Sequence, residues 1–327
     1  MRAMSNTIRS LATISRSEFL LPNLGSLIMG LAWGANPPLS LTEGIVLVVL
    51  SFSIINLSSA IGAQANTLSD YELDLKDPRK KQLVQALDSF GHRKVKAVLL
   101  IEFVLTLILV SVFMLIQEKP FLLLLWIVGI SLGCAYSALP LRLKSRSWIA
   151  PISLILVLAV FPVLFAYYTF TFEISTFFLV SLAGLSLTVY AVIVPTEIRD
   201  YFGDKAMNIE TMTVHIGLSK ASLLGIILLS IGAVLTGTAL FMEWTYSGKL
   251  WLSLFLLAIP VAVLFILGKF KKLYSLSKEY ETAKDKTQNV VEEKIVSLSA
   301  DNPKWIMLVT QTYSLLSIML LASKFLF

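Results

Sequence analysis

The chain has 327 residues, of which 56% are hydrophobic and 15% charged, with a mean hydropathy of +0.79 and a formal net charge of +6. A soluble protein of this length carries about 25% charged residues. So much apolar surface cannot be hidden in a water-soluble core, and the composition excludes an ordinary soluble domain in favour of a polytopic membrane protein. The single cysteine, Cys134, excludes an internal disulfide, and two histidines, His92 and His215, are too few for a His-rich metal site.

The amino-terminal arm, residues 1–17, is polar, carries Arg2, Arg9 and Arg16, and has no cleavage site after a short apolar core. Nine apolar segments follow, at about 19–36, 42–63, 97–116, 121–139, 149–168, 174–196, 220–241, 249–268 and 305–323, each near the length a helix needs to cross the hydrocarbon layer. The polar breaks alternate between short, nearly uncharged turns and long basic loops at 75–96, 142–147, 199–220 and 269–304. Of 27 Lys and Arg, only Lys119, Lys249 and Lys324 fall outside the arm and the basic loops. The positive-inside rule puts the N-terminus and the basic loops in the cytoplasm, and an odd number of spans puts the C-terminus outside. The net charge thus reflects topology and does not imply a nucleic-acid partner. The mixed-charge loop 269–304 reads as a solvated cytoplasmic helix.

Two acidic clusters stand at the cytoplasmic ends of the second and sixth spans. Asn66, Asp70 and Asp74 are spaced by four and share one helix face over two turns. Asp200 and Asp204 form a second stripe, with Glu197 nearly one turn earlier. Like charges at this spacing destabilise a bare helix unless a cation joins them. Carboxylate pairs are hard oxygen ligands that suit Mg²⁺, which keeps several waters and bridges to phosphate oxygens, so a phosphorylated ligand would complete the site. Asp200 follows Asp70, and Asp204 follows Asp74, by the same 130 residues. This offset reads as two pseudo-repeated halves, about 19–146 and 149–268, in one domain closed by a ninth helix. The basic positions Arg142, Lys144 and Arg146 alternate after the fourth span, and Lys76, Arg79, Lys80, Arg199 and Lys205 flank the acids. Lysine and arginine there suit a diphosphate group. Phe161, Phe165, Tyr167, Tyr168, Phe177, Phe178 and Tyr190 read as ordinary membrane-core side chains, with cation–π capacity where they face a cavity.

These motifs together resemble the UbiA superfamily of intramembrane prenyltransferases. The resemblance rests on Asn66-xxx-Asp70-xxx-Asp74, on Asp200-xxx-Asp204, on the loop from Tyr136 to Arg146, and on the run from Glu197 to Thr213. It implies an all-α fold of nine transmembrane helices around a central cavity with a cytoplasmic cap. It implies Mg²⁺ bound by Asp70, Asp74, Asp200 and Asp204. It implies substrate contacts from Asn66, Tyr136, Arg142, Lys144, Arg146, Glu197, Arg199 and Lys205. The implied reaction moves an isoprenyl group from an isoprenyl diphosphate to a hydrophobic or aromatic acceptor within the lipid bilayer. Two departures weigh against a quinone-type acceptor: the segment after the first motif reads Asp77-Pro-Arg-Lys-Lys81, and Pro140 stands where some members carry Lys four residues after Tyr136. An isoprenoid cyclase of the same fold is the alternative enzyme. A cation-coupled transporter is the alternative of another class, and it would carry its acids at mid-span.

Overall fold

A computed structural model describes residues 2–37, 40–77, 80–284 and 286–326. Arg79 and Asp285 lie outside the described residues. The chain is 87% helical, and among the described residues there is no strand.

The amino-terminal arm is itself a helix, α1 (Arg2–Ile14), followed by α2 (Leu20–Gly34), α3 (Leu41–Asp74), α4 (Lys81–Phe90), α5 (His92–Gln117) and α6 (Phe121–Ser137). Next come α7 (Ile149–Ile155) and α8 (Phe161–Phe170), which a π-helical turn, Leu156–Val160, joins into one segment. Then follow α9 (Thr176–Ala206), α10 (Met212–Ile216), α11 (Leu218–Tyr246), α12 (Ala258–Thr282) with a 3₁₀ lead-in, α13 (Lys286–Ser299) and α14 (Asn302–Phe325).

Every predicted span falls on a helical segment, but length divides them. Among the described residues seven segments are long and apolar enough to cross a membrane, whereas α2 and α6 have 15 and 17 residues. At 1.5 Å of rise per residue these two reach about 22 and 25 Å, short of a hydrocarbon layer of about 30 Å.

Local sequence explains where the functional helices start. Ser40 and Glu43 form a reciprocal capping box at the start of α3, and Ser175 accepts from the Phe178 amide at the start of α9. Between helices, close approach replaces hydrophobic drive. Gly184 and Thr188 of α9 interlock with Gly232 and Thr236 of α11, so that a Cβ on Gly184 would come 2.7 Å from the Gly232 carbonyl oxygen.

The three lysines that break the charge rule share one task at the end opposite the acids. Lys119 donates to the carbonyls of Tyr168 at 2.8 Å and Thr169 at 3.0 Å, at the end of α8. Lys324 donates to Trp33 and Ala35 at the end of α2, and Lys249 to Ser323 near the end of α14. Each ammonium satisfies orphan carbonyls at a helix C-terminus. Lys119→Met is therefore expected to lower stability by about 1.5–3 kcal/mol. Thermal unfolding in detergent measures this, and an unchanged midpoint would refute the capping role.

The loop 269–304 is helical as expected, though only partly solvated. α12 runs on to Thr282 and α13 packs back on the end of α9, burying Val291 and Ile295, one turn apart, in the main core. The arm helix α1 is pinned on α4 by Ile14, which sits with Ala86, Leu87 and Phe90.

Candidate active site

One cavity of about 510 Å³ opens among α2, α3, α6, α9 and α14. Its floor is apolar, with Trp126, Phe161, Phe165 and Tyr313 among its walls, and its mouth is charged. The helical period explains the division. On α3 the face that presents Ile55, Ser59 and Gly62 to the floor continues through Asn66, Asp70 and Asp74. On α9 the face carrying Leu185, Val189 and Ile193 continues through Glu197, Asp200 and Asp204. Both predicted stripes therefore end at the same mouth.

The mouth is a mesh of paired charges. Asp70 is only 6% exposed, and Lys144 Nζ and Arg142 both ion-pair with its carboxylate, the latter at 3.4 Å. Arg199 Nε lies 3.1 Å from Asp200 Oδ1. Lys80 and Lys144 act electrostatically on both Asp74 and Asp204. Ser137 Oγ donates to Asn66 Oδ1 and so fixes which edge of the amide faces the cavity. Tyr136 stands centrally, within electrostatic reach of Asp70, Glu197, Asp200 and Asp204. Glu197 sits deeper and is held by hydroxyls: Tyr190 donates to both its oxygens at 3.2 Å and Thr213 donates at 3.0 Å.

The loop after α6 reaches the acids through a strained turn. Arg142 has φ 37° and ψ 60°, a left-handed conformation that costs a non-glycine residue about 1–3 kcal/mol. Its amide donates back to Ala138, and farther along the Ser147 amide donates to Glu210 at 3.0 Å. Ser147 and Thr211 form a one-residue parallel bridge. This stitch ties the Lys144 loop to the loop after α9 and so joins the two halves of the mouth.

Two predicted residues lie elsewhere. Arg146 is exposed and donates to the Leu141 carbonyl, and Lys205 is exposed and donates to Tyr201. Neither lines the cavity, and Arg142 touches it only through Asp70. Of the aromatics, Phe161 and Phe165 line the cavity, whereas Tyr167 stacks on Phe178 at 3.7 Å. Sequence reading missed Ser137, Thr213 and Arg16. Arg16 had the weight of an ordinary topology cation, but it takes a left-handed φ of 52° just after α1 and lines the cavity beside Asp74. Thr213 lies 16 residues from Glu197 across a turn, a separation with no local signature.

Among the described residues no three acids, histidines or cysteines converge into a ready-made metal cage. The donor set fits a cation that takes few protein ligands: carboxylates and one amide on two facing helices, all hard oxygens open to the cavity.

A helical integral membrane protein with one apolar chamber and an acid-and-lysine mouth is built for an amphiphile with an anionic head. The chain belongs to the UbiA prenyltransferase family, whose profile matches residues 23–285, and it is an intramembrane prenyltransferase. Solved structures share the fold at low identity. A UbiA homolog from Archaeoglobus fulgidus bound to GPP and Mg²⁺ aligns with a TM-score of 0.59 at 17% identity, over 92% of this chain and 99% of that one. The same homolog bound to DMAPP and Mg²⁺ gives 0.58 at 19%, with the same coverage. A digeranylgeranylglyceryl phosphate synthase gives 0.62 at 14%, over 96% and 99%. No curated protein matches the chain.

Proposed function

We propose that this protein transfers an isoprenyl group from an isoprenyl diphosphate to an aromatic or lipid acceptor, with Mg²⁺, and releases diphosphate. The observation that carries the reading is the convergence of Asp70, Asp74, Asp200 and Asp204 with Lys144 at the mouth of a single apolar cavity. The relatives solved with GPP, DMAPP and Mg²⁺ support it.

In this reading the four aspartates would supply oxygens for Mg²⁺, and Asn66, oriented by Ser137, would hydrogen-bond the diphosphate. When bound, Mg²⁺ neutralises the charge that develops on the leaving oxygen. Lys144 and Arg142, held on Asp70 in the free protein, exchange that carboxylate for phosphate oxygens. The ion pair thus stores the cations where they are needed without leaving Asp70 unpaired. Arg16, Lys80 and Arg199 add positive charge at the rim. Arg146 and Lys205, exposed nearby, raise the local concentration of an anionic substrate.

The apolar floor takes the isoprenoid tail and keeps water from the allylic cation. The faces of Trp126, Phe161 and Phe165 stabilise positive charge there. Glu197 lies below the diphosphate site, and Tyr136 stands between the two. Together they form the polar belt at which an acceptor hydroxyl or ring is oriented. The N-terminus and the basic loops are assigned to the cytoplasm, where released diphosphate departs, and α2 and α6 count as the two further crossings of a nine-helix, two-half arrangement.

The test is a product screen by mass spectrometry, using purified protein, GPP, Mg²⁺ and a mixture of phenolic and glycerol-lipid acceptors. A prenylated acceptor that disappears in EDTA is the expected result. A cyclised isoprenoid formed without any acceptor would replace the transferase reading by the cyclase one.

A further inference from the structure

Leu125 of α6 and Phe161 of α8 have two exposures. Both line the active-site cavity, and both line a second groove of about 390 Å³ between the same helices. The remaining walls of that groove include Leu124, Val128 and Tyr168. The same two side chains therefore partition the chamber from the groove.

The local backbone favours a thin, adjustable partition. Gly129 of α6 faces the Phe161 side chain, which a Cβ built there would meet at an ordinary contact of 3.5 Å, so no bulky neighbour on α6 wedges the ring in place at that level. The π-helical turn Leu156–Val160 ends immediately before Phe161, and such turns inside helices are frequent at functional positions. One end of the groove is lined by aromatic rings. Phe121 meets Tyr168 edge-on at 5.0 Å and lies 6.4 Å from Phe172, over whose ring Lys119 sits at 4.3 Å.

The partition stands at a definite depth. Leu125 precedes Tyr136, which stands among the acids, by eleven positions on α6. At helical rise this is about 16 Å. An isoprene unit advances four chain bonds where a peptide residue advances three, hence about 4.5–5 Å. Three units fill the chamber, and a fourth meets Leu125 and Phe161.

We propose that Leu125 and Phe161 form a gate through which the distal units of long isoprenyl diphosphates pass into the groove, and that this pair sets the tail length the enzyme accepts. The inference rests on the prenyl-diphosphate reading above. The occupant is the tail of the bound substrate because, among the described residues, the Leu125–Phe161 pair alone is shared between the groove and the chamber that holds its head.

The experiment measures affinities of the purified protein, with Mg²⁺, for GPP (two units) and geranylgeranyl diphosphate (four units). Val128→Trp fills the groove from the lipid side at a position outside the chamber lining. It is expected to weaken the four-unit diphosphate by about tenfold or more and to leave GPP unchanged, which also reports correct folding. Phe161→Ala opens the partition and is expected to shift the ratio about tenfold toward the four-unit compound. A wild-type ratio in both variants overturns the gate and makes the groove a site for bulk lipid only. A wild-type protein that binds neither diphosphate with Mg²⁺ removes the functional reading, and the gate with it.

Discussion

Asp200→Asn is expected to lower Mg²⁺-dependent prenyl transfer by about 10²–10³-fold while stability changes by less than about 1 kcal/mol. The contrast follows from where the charge sits. The Asp200 side chain is 25% exposed and its arginine partner is its chain neighbour, so the pair contributes little to folding. In the proposed reading Asp200 would be one of the few protein oxygens on Mg²⁺, so its loss would act on the step that expels diphosphate. Asp70→Ala should be equally inactive but is a poorer probe. It would leave the partly buried Lys144 and Arg142 without their carboxylate, at a cost of about 1–3 kcal/mol. Turnover assays beside detergent melting curves separate the two effects. Retained Mg²⁺-dependent turnover in either variant would remove that residue from the metal site.

Gly184→Val carries the largest expected stability effect. A Cβ at Gly184 would lie 2.3 Å from Thr236 Oγ1 and 2.7 Å from both the Thr236 amide nitrogen and the Gly232 oxygen. The last two are backbone atoms, so no rotamer change relieves them and α9 must move away from α11. Overpacking of this kind costs about 3 kcal/mol or more. Activity should fall with it, because α9 carries Asp200 and Asp204. Gly268→Ala in α12 supplies the opposite sign. Its Cβ would meet nothing within 4 Å, so the substitution is expected to raise stability by about 0.4–1 kcal/mol. Melting temperatures of the two proteins test the pair, and a Gly184→Val protein as stable as wild type would contradict the close-packed seam.

Much of this was legible in the sequence because it depends on short-range periodicity. Spacing by four sent Asn66, Asp70 and Asp74 to one face, and the same rule acted on Asp200 and Asp204. That the two faces look into one chamber is a consequence of each stripe continuing an apolar face that packs inward. Charge counting found the end of the bundle that carries the site, and the three lysines outside the count became helix plugs. What stayed hidden depends on contacts between distant segments. Arg16 reaches Asp74 because α1 docks on α4 through Ile14, and no pattern around Arg16 foretells that. Thr213 meets Glu197 past the turn that the Ser147–Thr211 stitch holds, and Ser137 meets Asn66 where α6 packs on α3. Arg146 and Lys205 lie close in sequence to the residues of the mouth, yet alternate positions in the loop after α6 face different ways, and Lys205 is turned toward Tyr201. The apolar runs at 19–36 and 121–139 exceed α2 and α6 by a few residues, because the apolar pattern continues past the points where the helices end.

The central claim is that the two acidic stripes and a divalent cation together grip a diphosphate whose tail lies in the chamber. Calorimetric affinity for GPP, measured in excess Mg²⁺ and again in EDTA, tests it most directly. The expected result is binding about a hundredfold tighter with Mg²⁺, an increment that Asp200→Asn abolishes. Equal affinity in EDTA would contradict it.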